Sequence, residues 1–444
     1  MSTPMSRRAF LTSAATAASA AALGCNDRWI APPSPIDLMA GRVPDPASSG
    51  IEHVIVFMME NRSFDHFLGW LPGADGRQAG LTYVDGAGVP HATFPLAPDF
   101  QGCGYNDPDH SYAGGRVEYN DGACDGWLRA NDVFSIGYYR QRDLAFLGRA
   151  VPDWTSFDQY FCAILGPTFP NRIYQHAGQT DRLQNSFEMS QLPTIWDRLA
   201  ARGISGRYYY SDVPFLGLWG AKYTLISRTI DAFYSDCAAG TLPAVAFVDG
   251  AFLQELTGTG EDDHPYGDVR AGEAMMNRIY TAVTRSPAWR STVLVINFDE
   301  WGGFFDHVPP PVAPIPPADH MAGDADGRRG FRTPTLLVSP FARRAHTSHV
   351  LYDHTSVLRM IEWRWGLEPL TVRDATANNL AQELDFKHVN AAAPVYSVPA
   401  ITGAVCPARS AAVVAQEPAP PRIAAARAHW AGLHAVARRQ GWRT

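Results

Sequence analysis

Apolar residues in this chain gather into short dense runs, set between stretches of longer period. The first run, Ile51–Met59 (IEHVIVFMM), is almost continuously apolar rather than alternating, as expected of a strand buried on both faces. Pro243–Val248, Thr292–Phe298 and Thr335–Ser339 repeat that pattern. Between and after them the period becomes helical. Leu192–Ala201 is stopped by Gly203, Val269–Thr284 follows, and Thr355–Trp365 sets Val357, Leu358, Ile361 and Trp365 on one face. Buried strands alternating with helices predict an α/β architecture, a mainly parallel central sheet flanked by helices. Residues 71–150, rich in Gly, Asp and Tyr, read as a loop-rich insertion, and 309–332 as a Pro-rich surface loop. A final helix, Arg422–Arg439, carries Ile423, Trp430 and Leu433 along one stripe and is expected to pack on the body.

The amino terminus follows a different logic. Arg7 and Arg8 precede Phe10, Leu11 and a weakly apolar, alanine-rich stretch ending at Gly24. A basic segment, an apolar segment and small residues make residues 1–24 an expected signal peptide, and the paired arginines resemble a twin-arginine signal read by that export machinery. Cleavage after Ala18-Ser19-Ala20 or nearby, or lipid attachment at Cys25, would leave the product periplasmic, secreted or lipid-tethered. Residues 25–50 read as a poorly ordered Pro/Ser-rich leader. No later segment is long and apolar enough for a membrane helix.

Composition narrows the picture. Among 444 residues, 46% are hydrophobic and 18% charged, an ordinary globular balance, and the net charge of −7 offers no basic field for nucleic acid. Six cysteines suit an oxidising compartment, and none forms a CxxC. Cys103 and Cys124, flanking a polar glycine-rich stretch, are expected to pair.

Polar clusters stand where buried strands end, the place where open α/β sheets bind ligands. Glu60-Asn61-Arg62-Ser63 follows the first strand and offers a carboxylate beside an amide, two hard oxygen ligands for a cation. Asp299-Glu300-Trp301-Gly302-Gly303 follows TVLVINF. Adjacent carboxylates there repel unless a cation or proton intervenes, and the glycines would let backbone pass close to a ligand. Gly166-Pro167-Thr168-Phe169-Pro170-Asn171-Arg172 holds a hydroxyl on stiffened backbone, with Arg172 offering a fork suited to phosphate oxygens. His110, His264 and His354 each neighbour an aspartate able to orient the ring, and supply acid–base capacity.

Together these segments resemble the phosphoesterase family of bacterial phospholipases C and a related acid phosphatase. ENRSFDHFLG at 60–69, GPTFPNR at 166–172, DDHP at 262–265, DEWGGFFDHVPPP at 299–311 and YDHTSVLRMIEW at 352–363 match its blocks in order, between about Ile51 and Leu367. The resemblance implies an alkaline-phosphatase-like fold, with a catalytic domain over 51–400 and a linker and helix over 401–444. It further implies a divalent metal ion held by Glu60, Asn61, Thr168, Asp299 and Glu300, its identity open among Ca, Mn, Mg and Zn. Thr168 is then the nucleophile, passing through a phosphothreonine, with His110 and His264 around the phosphoryl oxygens and leaving group. His354 and Arg172 join the expected catalytic set, and His307 matches a motif without a firm role. The larger phospholipase relatives carry additional carboxy-terminal domains, and here the chain ends soon after the last motif. The implied substrate is a phosphate ester or a phospholipid met through peripheral membrane contact. A phosphomonoesterase using the same site and a non-catalytic exported binding protein are the alternatives. A sulfatase fits poorly, because the stretch around Thr168 lacks a C/S-x-P-x-R context.

Overall fold

The computed structural model describes residues 43–406 and 421–442. The signal peptide expected over 1–24, Cys25 and most of the leader lie outside the described residues. Near the leader's end, Pro46–Ser48 forms one 3-10 turn capped by the Asp45 side chain.

The first apolar run becomes β1, His53–Met59, buried from Val54 onward. The second becomes β5, Val245–Asp249, and the third β6, Thr292–Phe298, buried along its whole length. Both pair with β1 in parallel, so β1 is covered on both edges and, as its composition demands, on both faces. Completing the sheet are β2 (Thr155–Phe157), β3 (Gly206–Tyr210), β4 (Ser227–Thr229), β7 (Leu336–Val338) and β8 (His346–Ser348). Among the described residues the central sheet has eight strands, ordered β8-β2-β7-β6-β1-β5-β3-β4. All neighbours are parallel except at β7, which runs antiparallel to β6 and β2. The Thr335–Ser339 run therefore marks a strand, as expected, but its apolar pattern holds no information on direction.

Helices flank the sheet. Those used below are α1 (Phe64–Leu68), α2 (Thr168–Ala177), α3 (Ile195–Ala201), α4 (Ile230–Ala239), α5 (Val269–Thr284), α6 (His354–Trp365) and α7 (Pro421–Arg439). Capping explains several of their starts. Asp268 accepts from Arg270 N to open α5, and Asp353 from Thr355 N to open α6. The stripe on α7 does pack on the body: Trp430, Leu433 and Ala437 are buried. Trp430 stacks flat on Phe252, with ring centroids 4.1 Å apart and planes 1° apart, and lies 5.0 Å from Phe169. Residues 71–150 hold more order than expected, including helices at Tyr112–Tyr119 and Leu147–Asp153. No helix among the described residues is long and apolar enough to cross a membrane.

The expected Cys103–Cys124 bridge is not formed. Cys103 joins Cys406, with Cα atoms 5.6 Å apart, while Cys124 is a buried free thiol packed with Trp127, Trp301 and Phe305. Proximity in sequence misled because the segment around Cys103 is tied to distant chain. Gln101 Nε2 donates to the carbonyls of Gly258, Tyr266 and Ala404, and Tyr266 N donates back to Gln101 O.

Candidate functional site

β6, β1 and β5 end side by side, and the residues that follow them converge. Glu60 leaves β1 with its N–H on the Asp262 carbonyl (2.8 Å), and Asp299 leaves β6 with its N–H on the Met59 carbonyl (3.0 Å). Asn61 sits at φ 56°, a left-handed conformation that asparagine tolerates better than most side chains. Its N–H donates to Asp299 Oδ1 (3.0 Å), which also accepts from Glu300 N (2.7 Å). The glycines of Asp299-Glu300-Trp301-Gly302-Gly303 allow a close approach, but to protein rather than ligand. A Cβ on Gly302 would overlap the Asn61 carbonyl, and one on Gly303 would lie 2.6 Å from Pro108 Cβ.

Thr168 is the first residue of α2, and its loop is rigid. The Asn171 side chain accepts from Ile164 N (3.0 Å) and donates to the carbonyls of Ile164, Gly166 and Pro167. Thr168 Oγ1 then faces Glu60 Oε2 at 3.5 Å. That is inside the span of roughly 5 Å that two ligands of one cation can share. Arg172, one turn on, is 2% exposed. Its fork does not reach toward a phosphate as its type suggested. It donates to Glu60 Oε1 (2.7 Å), Asp249 Oδ1 (2.8 Å) and the Met59 carbonyl (3.3 Å), and Nε lies 3.6 Å from Asp299 Oδ2. Its guanidinium lies 4.6 Å from the ring centroid of Phe252, the ring on which Trp430 of α7 stacks.

The electrostatics are those of an anionic pit. Burial, then the neighbouring Asp299, raises the Glu60 carboxyl well above its ordinary range despite Arg172. Glu300 rises likewise through burial and Asp299. Arg172 is pushed up: burial opposes its charge, and Glu60 and Asp249 more than offset that. Asn61 Oδ1, Asp299 Oδ2 and Glu300 Oε1 are buried without hydrogen-bond partners. Oxygens crowded in this way suit a hard divalent cation, so the residues fit the metal that the motifs imply.

The histidines are oriented by backbone, not by their neighbouring aspartates. His110 Nδ1 donates to the Pro108 carbonyl and His264 Nδ1 to the Pro265 carbonyl, each at 2.9 Å. Asp109 accepts from the Ser111 N–H and Asp262 from the His264 N–H. Both Nε2 atoms turn inward. His110 Nε2 lies 3.4 Å from Asn61 Nδ2, and His264 Nε2 lies 3.9 Å from Asp107 Oδ2. His354 stands apart, behind Asp299. Its Nε2 contacts the Phe298 carbonyl (3.1 Å), and burial pushes its pKa down to about 4, so the ring is neutral. Asp353 beside it serves Arg329, Arg373 and Thr355 instead. His307 belongs to another network, bonded to Asp65 and Asp75 next to the buried Arg332.

Sequence reasoning passed over Asp249 and left Asp107 as a mere neighbour of His110. Asp249 was legible as a carboxylate closing an apolar strand, the same signal that marked Glu60. The placement of Asp107 against His264 depends on two loops meeting and left no trace in local spacing.

Similarity to known proteins extends over most of the chain. The phosphoesterase family matches over residues 51–223 and 218–368. Phospholipase C B of Mycobacterium tuberculosis is 31% identical, covering 86% of this chain and 86% of its own. Non-specific phospholipase C6 of Arabidopsis thaliana is 30% identical, covering 74% and 71%. A solved protein of the alkaline phosphatase superfamily from Vibrio parahaemolyticus aligns with a TM-score of 0.40 at 9% identity, covering 74% of this chain and 69% of that one. The chain belongs to the phosphoesterase family of phosphoric-ester hydrolases and is of the phospholipase C type.

Proposed function

We propose that this protein is an exported, metal-dependent phosphoric-ester hydrolase that cleaves phospholipid-like diesters through a covalent phosphothreonine. The observation that carries the reading is the 3.5 Å approach of Thr168 Oγ1 to Glu60 Oε2, beside the unpartnered oxygens of Asn61, Asp299 and Glu300. Those residues hold the cation, which lowers the pKa of the threonine hydroxyl and offsets charge on the transferring phosphoryl group. Thr168 Oγ attacks phosphorus in line while its proton passes to Glu60 Oε2, the acceptor it already faces. The bond from phosphorus to the leaving oxygen breaks, and that oxygen departs on the side of the inward Nε2 atoms of His110 and His264. That oxygen takes a proton from water, the hydroxide so formed attacks the phosphothreonine, and the Thr168 oxygen leaves with the proton held on Glu60, freeing a phosphate that keeps its head group if the substrate was a diester. Arg172 holds Glu60 and Asp249 in place, and neutral His354 fixes the Phe298 carbonyl ahead of Asp299. Membrane contact is peripheral, at the lipid substrate.

The test uses mature wild type and Thr168→Ala on p-nitrophenylphosphorylcholine and on p-nitrophenyl phosphate, with and without chelator. Cleavage of the choline ester, lost by about a thousandfold or more in Thr168→Ala and on chelation, is expected. Turnover of the simple phosphate alone would make the enzyme a phosphomonoesterase. Full activity in Thr168→Ala would remove the proposed nucleophile. Export is tested separately: Arg7→Lys/Arg8→Lys is expected to hold the protein in the cytoplasm, and unchanged export would remove the twin-arginine route.

A further inference from the structure

Away from the pit, the same end of the sheet carries a ring of exposed apolar side chains. β3 and β4 continue the parallel order from β1 and β5, so Tyr210 and Thr229 close their strands at the end where Glu60 leaves β1. α7 crosses that end. At its middle Trp430 packs on Phe252 and on Phe169, the neighbour of Thr168. Beyond its last turn Trp442 lies 6.1 Å from Tyr210, and its Nε1 donates to the Gly220 carbonyl (2.9 Å).

Three separate segments bring apolar groups around this helix. Phe187 (45% exposed) and Met189 (40%) pack onto glycines: a Cβ on Gly432 of α7 would lie 2.7 Å from the Phe187 ring, and one on Gly220 2.7 Å from the Met189 methyl. Leu253 (38%) follows Phe252, and Leu225 (86%) lines a pocket of about 400 Å³ with Tyr210, Arg228 and Trp442. Elsewhere among the described residues, the large apolar side chains this exposed are valines, apart from Met321. Exposed phenylalanine and leucine gathered on one face mark an interaction surface.

Charge narrows the partner. The stretches 219–230 and 431–442, which flank the pocket, hold no Asp or Glu, and they carry Lys222, Arg228, Arg438 and Arg439 in a chain whose net charge is −7. Lys222 is shared with Asp197, while Arg438 and Arg439 are exposed. Glu188, between Phe187 and Met189, is the ring's own acid. Apolar side chains flanked by cations match the interface of an anionic bilayer, where the first enter the acyl boundary and the second meet lipid phosphates.

We propose that this ring docks the protein on an anionic phospholipid bilayer. Phe187, Met189, Leu225 and Leu253 enter the lipid, and Arg228, Arg438 and Arg439 meet its phosphates. The proposal rests on the functional reading above and gives it an orientation. The loop that bears Phe187 also bears Asn185, whose Oδ1 accepts from Phe169 N (2.8 Å), the residue after Thr168. Docking there sets the nucleophile's end of the sheet against the lipid.

Vesicle flotation in chelator reads docking without turnover. Wild type is expected to float with vesicles of phosphatidylcholine containing about 30% phosphatidylglycerol, and far less with pure phosphatidylcholine. Phe187→Ser/Leu225→Ser should weaken binding to the mixed vesicles by about tenfold or more. Arg228→Gln/Arg438→Gln/Arg439→Gln should weaken it as much and erase the preference for phosphatidylglycerol. Both variants should keep the near-UV circular dichroism of wild type and its rate on soluble p-nitrophenylphosphorylcholine, which needs no docking. Wild type that floats with neither vesicle, or variants that float as wild type does, overturn the surface. So does a dimer of wild type that is lost in Phe187→Ser/Leu225→Ser and comes with no vesicle binding, since the ring would then cover a second copy. Wild type that floats as expected but leaves the choline ester intact upholds the surface and removes the lipid-cleaving reading.

Discussion

Removing the charge of Arg172 is the sharpest probe of how this pit is held together. Arg172→Gln keeps a polar side chain but leaves Glu60 and Asp249 buried and uncompensated, where wild type has contacts of 2.6 Å and 2.8 Å. Breaking a buried pair from one side costs about 3–5 kcal/mol, because the stranded charge keeps its desolvation penalty. Unfolding entropy scales to about 0.9 kcal/mol per kelvin over 444 residues. The expected fall in Tm is therefore about 3–5 °C in chelator, read by calorimetry. A saturating divalent cation should narrow the gap between variant and wild type, since it supplies to Glu60 the positive charge that the variant lacks. Arg172→Lys should fall between the two, because one ammonium cannot span Glu60 Oε1 and Asp249 Oδ1 together. A Tm in Arg172→Gln equal to wild type, or a gap that cation leaves unchanged, would refute the claim that Arg172 neutralises the site from behind.

Other perturbations reach the site by different routes. Gly302→Ala places a methyl against the Asn61 carbonyl at φ 66°, and should weaken metal affinity at least about tenfold by titration calorimetry; unchanged affinity would mean that Asn61 is not a ligand. Glu273, buried beneath the N–H groups of Phe146 and Leu147, has its pKa pushed up by burial to about 8 from 4.5. A raised folded-state pKa gives stability that is full below about pH 4.5 and drains away up to about pH 8. Glu273→Gln should flatten that stretch of the stability profile in urea titrations; an unchanged slope would assign it elsewhere. Non-reducing peptide mapping should recover Cys103 linked to Cys406, and Cys103→Ser should lower stability by about 2–5 kcal/mol; a Cys103–Cys124 peptide would reverse that assignment.

The buried parallel strands were readable because a strand covered on both faces has nothing polar to show, and Ile51–Met59 and Thr292–Phe298 are such runs. Strands such as Ser227–Thr229 and His346–Ser348 were not, being only three residues long and half exposed. At the site, Glu60, Asn61, Thr168, Asp299 and Glu300 could be nominated because each follows a strand or a stiffened turn. Arg172 was nominated for the wrong contact, because a guanidinium fork suits carboxylate as well as phosphate and only burial beside Glu60 decides between them. The ring orientations of His110 and His264, and the pairing of Cys103, turn on backbone carbonyls and on chain far away, which residue type does not encode.

That bridge has a consequence in time. Its two ends are 303 positions apart, and beside it Gln101 is laced to the carbonyls of Gly258 and Tyr266, on either side of His264. In a reducing cytosol the thiols stay open, and in an oxidising compartment they close. On the proposed export route the bond is therefore a clock mark: it closes only after the protein leaves the cytosol, and it then ties the chain just before Asp107 to a segment 303 positions away.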